Sequence, residues 1–271
     1  MKPVRSTAER VGFAALAGAA VLGAVYPAAA AAPLAAFVAA CAAAPFLPRI
    51  GFFAPVVSRG PRNRPSVAIT FDDGPDPATT PLLLDLLERN FVKAAFFVVG
   101  KKVETHPGLT RELVLRGHEV GCHSHVHDLL LGLRRPEAVC RDLKKAAAAL
   151  ERVGIRPLAF RPPVGIVTPR IASGLSAAGM YMVTFSRRGW DAGNRRLAGL
   201  SDRILRRLGA GDVIVLHDSM PKTVDRRGLW LSEVEKIVAG IHRRGLSIVP
   251  LQTLTGRPVM EKLTGPASKG R

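Results

Sequence analysis

The feature that most constrains the fold is a regular alternation of short apolar runs with longer segments of helical spacing, which extends through most of this 271-residue chain. Strands that alternate with helices predict a parallel sheet with helical crossovers. About seven such units in roughly 190 residues favour a closed or nearly closed α/β barrel, with an open doubly wound sheet as the alternative. The candidate strands are 67–71, 94–99, 118–122, 158–160, 180–185, 212–216 and 246–250. The candidate helices are 80–90, 108–116, 136–153, 169–178, 197–208 and 231–243.

The first fifty residues have a different character, because no charged residue occurs between Arg10 and Arg49. A membrane-spanning helix needs about 20 apolar residues. Two prolines divide the segment, so it predicts either a hairpin of two short spans, near 12–26 and 33–48, or one kinked span. A cleaved secretory signal is a third interpretation. Because the apolar sequence continues far beyond the candidate cleavage sites, a membrane anchor over residues 1–50 is favoured.

Basic residues flank both ends of this segment, so the positive-inside rule places both ends on the cytoplasmic side, as in a hairpin. A substrate outside the cell requires the opposite orientation, and the sequence leaves the side open. Proline and glycine are frequent in residues 51–65, which predicts a linker. We therefore expect a barrel domain over 66–255, followed by a basic, poorly ordered tail over 256–271.

The chain is strongly basic, with 39 Lys and Arg against 21 Asp and Glu and a net charge of +18. Such a surface favours anionic partners such as acidic lipid headgroups, acidic polymers or nucleic acid. Aromatic residues are only 6% of the chain, which argues against a surface that stacks on bases. No nucleic-acid partner is therefore expected.

Two adjacent carboxylates, Asp72 and Asp73, follow the first apolar run in the segment Thr-Phe-Asp-Asp-Gly-Pro. Neighbouring side chains of an extended segment point in opposite directions, so the two can serve different tasks. One can bind a metal while the other accepts a proton. A plain turn is the alternative, because the segment is rich in turn-forming residues.

A histidine pair, His123 and His127, follows the third apolar run. The spacing of four places both imidazoles on a shared face if the backbone turns helically, and it directs the intervening His125 elsewhere. One carboxylate and two imidazoles can hold a divalent metal with one coordination position open. Cys122 directly precedes the pair, and a small buried strand residue is favoured there over a catalytic thiol.

Three further polar residues, Arg161, Asp191 and His217, come just after later candidate strands. An arginine beside a buried carboxylate keeps that carboxylate ionised and oriented. Histidine can protonate a leaving amine near neutral pH. An aromatic residue beside Asp191 suits a sugar site and equally suits a packed loop. Since the carboxyl ends of barrel strands meet on one face, all these clusters are expected to form one site.

Taken in order, these motifs resemble the polysaccharide deacetylase family, the chitin and peptidoglycan N-deacetylases among the carbohydrate esterases. The resemblance covers about residues 64–255 and rests on Thr-Phe-Asp-Asp-Gly-Pro, His-Ser-x-x-His, Arg-x-Pro-x-Gly and Leu-His. It implies a distorted (β/α) barrel of seven or eight units. It also implies a divalent metal, with Zn²⁺ favoured and Co²⁺, Mn²⁺ or Ni²⁺ as alternatives.

The resemblance also implies a role for each site residue. The implied metal ligands are Asp73, His123 and His127. The implied general base is Asp72, held by Arg161, and the implied general acid is His217, tuned by Asp191. The backbone N–H of Val164 is implied to support the oxyanion. Two departures stand out, because the family usually has Tyr at the position of Val164 and commonly Asn at that of Cys122. A backbone donor survives the first change, whereas a side-chain contact to substrate does not.

The predicted function is a metal-dependent hydrolase that removes N-acetyl groups from cell-wall polysaccharide containing N-acetylglucosamine. The alternatives are a deacylase or deformylase of a lipid-linked sugar and a non-catalytic, membrane-tethered barrel that binds glycan. The expected location is the membrane, with the catalytic domain facing the periplasm or the cell exterior.

Overall fold

The computed structural model describes residues 6–47, 49–221, 223 and 226–263. Its strands are β1 (Val56–Val57), β2 (Ser66–Asp72), β3 (Ala95–Val98), β4 (Glu119–Cys122), β5 (Ile155–Pro157), β6 (Ala159–Phe160), β7 (Tyr181–Val183), β8 (Arg187–Arg188), β9 (Val213–His217), β10 (Ser247–Ile248) and β11 (Met260–Lys262). Its helices are α1 (Thr7–Val25), α2 (Ala32–Ala43), α3 (Thr80–Arg89), α4 (Gly100–Thr105), α5 (Pro107–Leu115), α6 (Pro136–Glu151), α7 (Pro169–Ala178), α8 (Leu200–Leu205), α9 (Arg227–His242) and α10 (Leu251–Thr255).

The main sheet has the order β1-β7-β6-β4-β3-β2-β9-β8, and every pair along this path is parallel. β7 and β8 lie in one stretch, 181–188, whose first part pairs with β6 and whose last part pairs with β9. This stretch joins the two sides of the sheet into a ring. The prediction of a distorted (β/α) barrel is therefore confirmed, and the open doubly wound sheet is not adopted.

Strand β2 shows how the barrel separates its two faces. Val67, Ile69 and Phe71 belong to the large apolar core that also contains the helix side chains, whereas Ala68 belongs to a second cluster. Because side chains alternate along a strand, Thr70 and Asp72 share the face of Ala68. The second cluster contains side chains from several strands and fills the barrel interior. Asp72 is therefore directed into the barrel, at the end of a buried strand.

Small side chains on neighbouring strands make room for a charged group inside the barrel. Ala68, Ala95 and Ala159 are fully buried members of the interior cluster. The fully buried Arg161 lies above the Phe97 ring in the same interior, with its guanidinium carbon 4.0 Å from the ring centroid. An interior lined by larger aliphatic side chains would leave no space for this arginine.

Helices α1 and α2 pack against each other as a hairpin at the N-terminus. α1 begins with a capping box, in which Ser6 and Glu9 each accept a hydrogen bond from the other's backbone N–H. The segments Thr7–Val25 and Pro27–Phe46 are each long and apolar enough to cross a membrane, on length and composition alone. The structure thus shows the two-segment hairpin, and its insertion in a membrane remains a prediction.

Both segments that flank the expected barrel domain contribute strands. Residues 51–65, expected to be only a linker, contain β1, which pairs with β7 at one end of the sheet path. Arg59 of the same segment pairs with the buried Asp212 at 2.5 Å. In the expected tail, β11 pairs antiparallel with β5. The expectation of poor order from residue 256 is thus wrong for 260–262, and residues 264–271 lie outside the described part of the chain.

Candidate active site

The structure brings the predicted site residues to the carboxyl ends of the barrel strands. Asp72 ends β2, His217 ends β9, and the two are register partners across these neighbouring strands. Asp73, His123 and Arg161 come directly after β2, β4 and β6. The expectation that separate polar clusters meet on one face follows from this parallel arrangement, because all these strands run in the same direction.

Asp73, His123 and His127 form a compact group in which one potential ligand atom from each residue lies within 4.8 Å of the others. Oδ1 of Asp73 lies 3.1 Å from Nε2 of His127 and 3.5 Å from Nε2 of His123. Nδ1 of His123 lies 2.8 Å from the carbonyl oxygen of Arg161. Since a carbonyl only accepts hydrogen bonds, Nδ1 donates to it, and Nε2 is the ring nitrogen that faces Asp73 and His127.

This group fits a divalent cation. Oδ1 of Asp73 is buried and has no hydrogen-bond partner of good geometry in the described part of the chain. A buried carboxylate oxygen without a donor is costly, and a cation between it and the two imidazoles would remove that cost. Burial alone raises the pKa of Asp73, but the neighbouring His123 and His127 outweigh that effect and lower the pKa below its ordinary value. The carboxylate is therefore ionised, as a metal ligand must be.

The backbone around these ligands adopts unusual conformations. Asp73, Ser124 and His127 have positive φ angles of 75°, 67° and 54°. Such angles are uncommon outside glycine and recur at functional sites, where the surrounding structure holds them. Here they turn the chain away from β2 and β4 as soon as each strand ends. The Ser124 hydroxyl also accepts a hydrogen bond from the His127 N–H at 2.9 Å, which fixes the turn between the two imidazoles.

Asp72 is held by Arg161 inside the barrel. Nη1 of Arg161 donates to Oδ1 of Asp72 at 2.7 Å and lies 2.7 Å from the Thr70 hydroxyl, and Nη2 donates to the carbonyl of Thr184 at 2.9 Å. Burial lowers the pKa of Arg161 from its ordinary value, and the adjacent Asp72 opposes that effect. Arginine remains charged even when buried, so this pair holds the Asp72 carboxylate in a fixed orientation.

His217 and Asp191 form the second charged pair of the site. Nδ1–H of His217 donates to Oδ2 of Asp191 at 2.7 Å. Burial lowers the pKa of His217, but the bond to Asp191 and the charges of Asp191, Asp73 and Asp72 outweigh it and raise the pKa to about 9. Asn194 secures the strand end, because its amide donates to the carbonyls of His217 and Ser219. At neutral pH His217 is therefore an imidazolium ion with a fixed ring orientation.

Three other residues that the sequence singled out lie around this site. Cys122 is buried, and burial raises the pKa of its thiol to about 12, which is typical of a structural residue and not of a nucleophile. His125 lies outside the metal-binding group, with Nε2 at 3.9 Å from a carboxylate oxygen of Glu104. Val164 occupies the turn after Arg161 with a φ of 52°, and its side chain is half-exposed.

Sequence reasoning missed the hydrogen bonds of two residues, Lys102 and Asp218. Nζ of Lys102 donates to the backbone carbonyl of Asp73 at 2.7 Å. Asp218, directly after His217, accepts hydrogen bonds from the hydroxyls of Thr79 and Thr80 at 2.7 and 2.6 Å, and burial raises its pKa to about 6. Asp218 directly follows the Leu-His motif, which is the signal that could have indicated it, whereas no sequence pattern indicated Lys102.

Gly74 follows Asp73 where the chain passes close to Asp218. A methyl group at this position would lie 2.4 Å from Oδ2 of Asp218. Only glycine therefore lets the segment after Asp73 pack against this buried carboxyl. A cavity of about 420 Å³ opens beside the same segment and is lined by both Asp73 and His127. It is large enough to admit part of a ligand to the metal-binding group.

Comparison with known proteins agrees with this fold. The family model described as polysaccharide deacetylase matches residues 59–183. The peptidoglycan-N-acetylglucosamine deacetylase of Bacillus cereus is 30% identical over 199 residues, which cover 72% of this chain and 90% of the relative. The chitooligosaccharide deacetylase of Azorhizobium caulinodans is 30% identical over 203 residues, which cover 70% of this chain and 94% of the relative. A solved family 4 carbohydrate esterase from Streptomyces lividans superposes with a TM-score of 0.62 at 28% identity, covering 72% of this chain and 96% of the esterase.

The fold and these relatives together define a hydrolytic enzyme of the carbohydrate esterase class. The chain belongs to the polysaccharide deacetylase family, as the sequence motifs predicted. Members of this family depend on a metal, and the Asp73, His123 and His127 group is a possible site for it here.

Proposed function

We propose that this chain is a metal-dependent N-deacetylase of cell-wall polysaccharide containing N-acetylglucosamine. One observation carries the proposal: the Asp-His-His group with its unpartnered Asp73 oxygen lies beside a second carboxylate, Asp72, that Arg161 already holds. Relatives named for deacetylation of peptidoglycan N-acetylglucosamine and of chitooligosaccharides support the choice of substrate.

The proposed metal ligands are Asp73, His123 and His127, with Zn²⁺ favoured and Co²⁺, Mn²⁺ or Ni²⁺ as alternatives. When bound, such an ion polarises the acetamide carbonyl and lowers the pKa of water. The residues fit this role because a carboxylate and two imidazoles leave a coordination position for substrate or water. The Nδ1–H of His123, bonded to the Arg161 carbonyl, fixes the tautomer with Nε2 available as a ligand.

Asp72 is the proposed general base. Arg161 occupies its Oδ1, and no described residue donates to Oδ2, so Oδ2 is the atom that accepts a proton from the attacking water. The buried guanidinium fixes the direction of the carboxylate, so that its second oxygen faces the substrate side of the site in the proposed reaction. The backbone N–H of Val164, in the turn after Arg161, is the proposed donor to the oxyanion of the tetrahedral state.

His217 is the proposed general acid, and Asp191 positions it. Because Nδ1–H donates to Asp191, the proton on Nε2 is the one available to the departing nitrogen. The raised pKa keeps His217 protonated at neutral pH, so the proton is present when the C–N bond breaks. Acetate and a free amine on the sugar are the products.

The test is acetate release by the purified full chain from N-acetylglucosamine oligomers and from peptidoglycan, with and without a chelator. We expect release from at least one substrate, loss of it with chelator, and recovery on addition of Zn²⁺. A metal-free purified protein with no release from either substrate would instead support a glycan-binding barrel. Release only from a lipid-linked amino sugar would support the lipid-linked alternative.

We also propose that residues 1–50 anchor the enzyme in the membrane, with the barrel facing the periplasm or the cell exterior, where cell-wall polysaccharide lies. The two apolar helices, α1 and α2, support an anchor. A reporter that is active only outside the cytoplasm, fused after residue 62, tests the side. Activity supports the proposal, and a silent reporter with an intact fusion contradicts it.

A further inference from the structure

A cavity of about 700 Å³ lies on the flank of the barrel, between the chain that leaves α2 and the segment from β7 to α8. It is lined by six arginines, and no acidic side chain lines it within the described part of the chain. These arginines come from three separate stretches and are Arg49, Arg187, Arg188, Arg203, Arg206 and Arg207. The cavity is separate from the metal-binding group, none of whose residues lines it.

Most of this positive charge is not neutralised. Arg187 pairs with Asp212 at 2.7 Å, and Arg188 is attracted by the charge of Asp191, but none of the other five arginines has a described carboxylate oxygen within 4.0 Å. Arg203 donates to three backbone carbonyls, of Gly189, Ala198 and Arg196, which orders its guanidinium and leaves its charge. Like charges gathered around one cavity repel each other unless an anion lies between them. Guanidinium groups match phosphate oxygens particularly well.

The other wall of the cavity is apolar and exposed. Phe46 is 70% exposed and Trp190 63%, and Leu47 and Ile50 are also exposed. Exposed apolar side chains of this size, contiguous with α2, are costly in water and suit the boundary of a bilayer. These apolar side chains would add no binding free energy for a free anion taken from water. Arginines beside apolar and aromatic groups are instead the chemistry that binds lipid headgroups.

The cavity is connected to both the N-terminal hairpin and the active site. Arg49, just beyond α2, donates a hydrogen bond to the carbonyl of Ser186. Arg188 lies over the Trp190 ring, with its guanidinium carbon 3.2 Å from the ring centroid. Trp190 directly precedes Asp191, which holds His217. A ligand in the cavity therefore contacts the candidate membrane anchor on one side and the rim of the catalytic face on the other.

We propose that this cavity binds the phosphate group of a membrane lipid. The phosphate lies among the unpaired arginines, and the hydrocarbon chain lies along Phe46, Leu47 and Ile50 towards α2. Bound lipid holds the barrel against the membrane surface beside Trp190. This proposal concerns binding and stands apart from the proposed deacetylation, so either can fail without the other.

Trp190 provides the means to test it. The chain has two tryptophans, of which Trp230 is fully buried and Trp190 lines the cavity. Dodecyl phosphate is titrated into the full chain in dodecyl maltoside micelles while tryptophan fluorescence is recorded. We expect a saturable change that is absent in Trp190→Phe. Arg206→Gln/Arg207→Gln removes two exposed cavity charges and should raise the half-saturating concentration about 30-fold, because each basic residue contributes to binding an anionic lipid.

The matched control is Arg111→Gln/Arg141→Gln, which removes two exposed arginines from α5 and α6. It should leave the half-saturating concentration unchanged. The proposal is overturned if dodecyl phosphate gives no saturable change, or if both double variants weaken binding equally. Inorganic phosphate binding as tightly as dodecyl phosphate would show a free-anion site. Polyphosphate binding more tightly than dodecyl phosphate would show a site for an acidic polymer, and either result also overturns it.

Discussion

At the scale of single residues, the adjacent carboxylates Asp72 and Asp73 acquire different tasks from the two directions in which they point. Asp72 enters the barrel interior and meets Arg161, whereas Asp73 turns out of the strand with a positive φ and meets the histidine pair. The sequence predicted this division, because neighbouring strand residues face opposite ways. The partner of each carboxylate, however, comes from another strand end.

Asp72→Asn tests the division of roles. We expect acetate release to fall by about 10² to 10⁴-fold, the usual contribution of a positioned general base. Metal content, measured by elemental analysis of the purified protein, should be unchanged because Asp72 is outside the metal-binding group. Asp85→Asn is the matched control, since the Asp85 side chain is 59% exposed on α3. Comparable turnover in Asp72→Asn and Asp85→Asn would contradict the base assignment.

The bond from His217 to Asp191 predicts a change in the pH profile. The pKa of His217 is raised to about 9, so the acid form is present at neutral pH and is lost as the pH rises towards that value. Activity should therefore fall on the alkaline side. Asp191→Asn removes the carboxylate that stabilises the His217 imidazolium, so the pKa of His217 should fall. The alkaline limb of the pH profile of kcat should therefore move to lower pH. An alkaline limb at the same pH in both proteins would show that His217 is not the acid.

At the scale of elements, parallel register explains why the barrel interior accepts a buried arginine. Phe97 of β3 is the register partner of Gly121 of β4, and its ring lies beneath Arg161. A methyl group at Gly121 would lie 2.6 Å from the Phe97 ring and 3.2 Å from the carbonyl oxygen of Ala159. The neighbouring strands thus set the position of the arginine that orients Asp72.

Gly121→Ala should therefore displace Phe97 and Arg161 together. We expect a lower melting temperature of the full chain, equivalent to about 1–3 kcal/mol of overpacking, and reduced turnover. Gly108→Ala is the matched control, because a methyl group there meets nothing within 4 Å and the residue lies in α5. That change should be neutral or stabilising by up to about 1 kcal/mol. Equal melting temperatures for the two variants would refute the packing argument.

Most elements were predictable from local pattern, and some of the short ones were not. The predicted helix over 169–178 coincides with α7, and each predicted strand overlaps an observed one. β1 and β8 were missed, because each has two residues outside any predicted strand and depends on pairing with β7 or β9. The predicted helix over 197–208 is shorter in the structure, where α8 covers Leu200–Leu205.

At the scale of the whole molecule, metal binding should be linked to stability. A ligand that binds only the folded chain raises the free energy of unfolding in proportion to the logarithm of its concentration over its Kd. Zn²⁺ added to the chelator-treated full chain should therefore raise its melting temperature. His127→Ala should lose this rise, and His242→Ala, which alters an exposed histidine outside the metal-binding group, should keep it. A rise of the same size in His127→Ala would exclude this metal site.

The sequence by itself determined the alternation of strands and helices, the apolar hairpin pattern, and the polar residues at strand ends, because these depend on neighbours a few positions apart. It also carried enough of the family motifs to identify the class of enzyme. Only the tertiary structure decided how the ring closes through 181–188, that Arg161 lies on Phe97 beside Asp72, and that arginines from three distant stretches meet in one cavity. Each of these depends on contacts between residues far apart in the chain, and such contacts leave no periodic trace in the sequence.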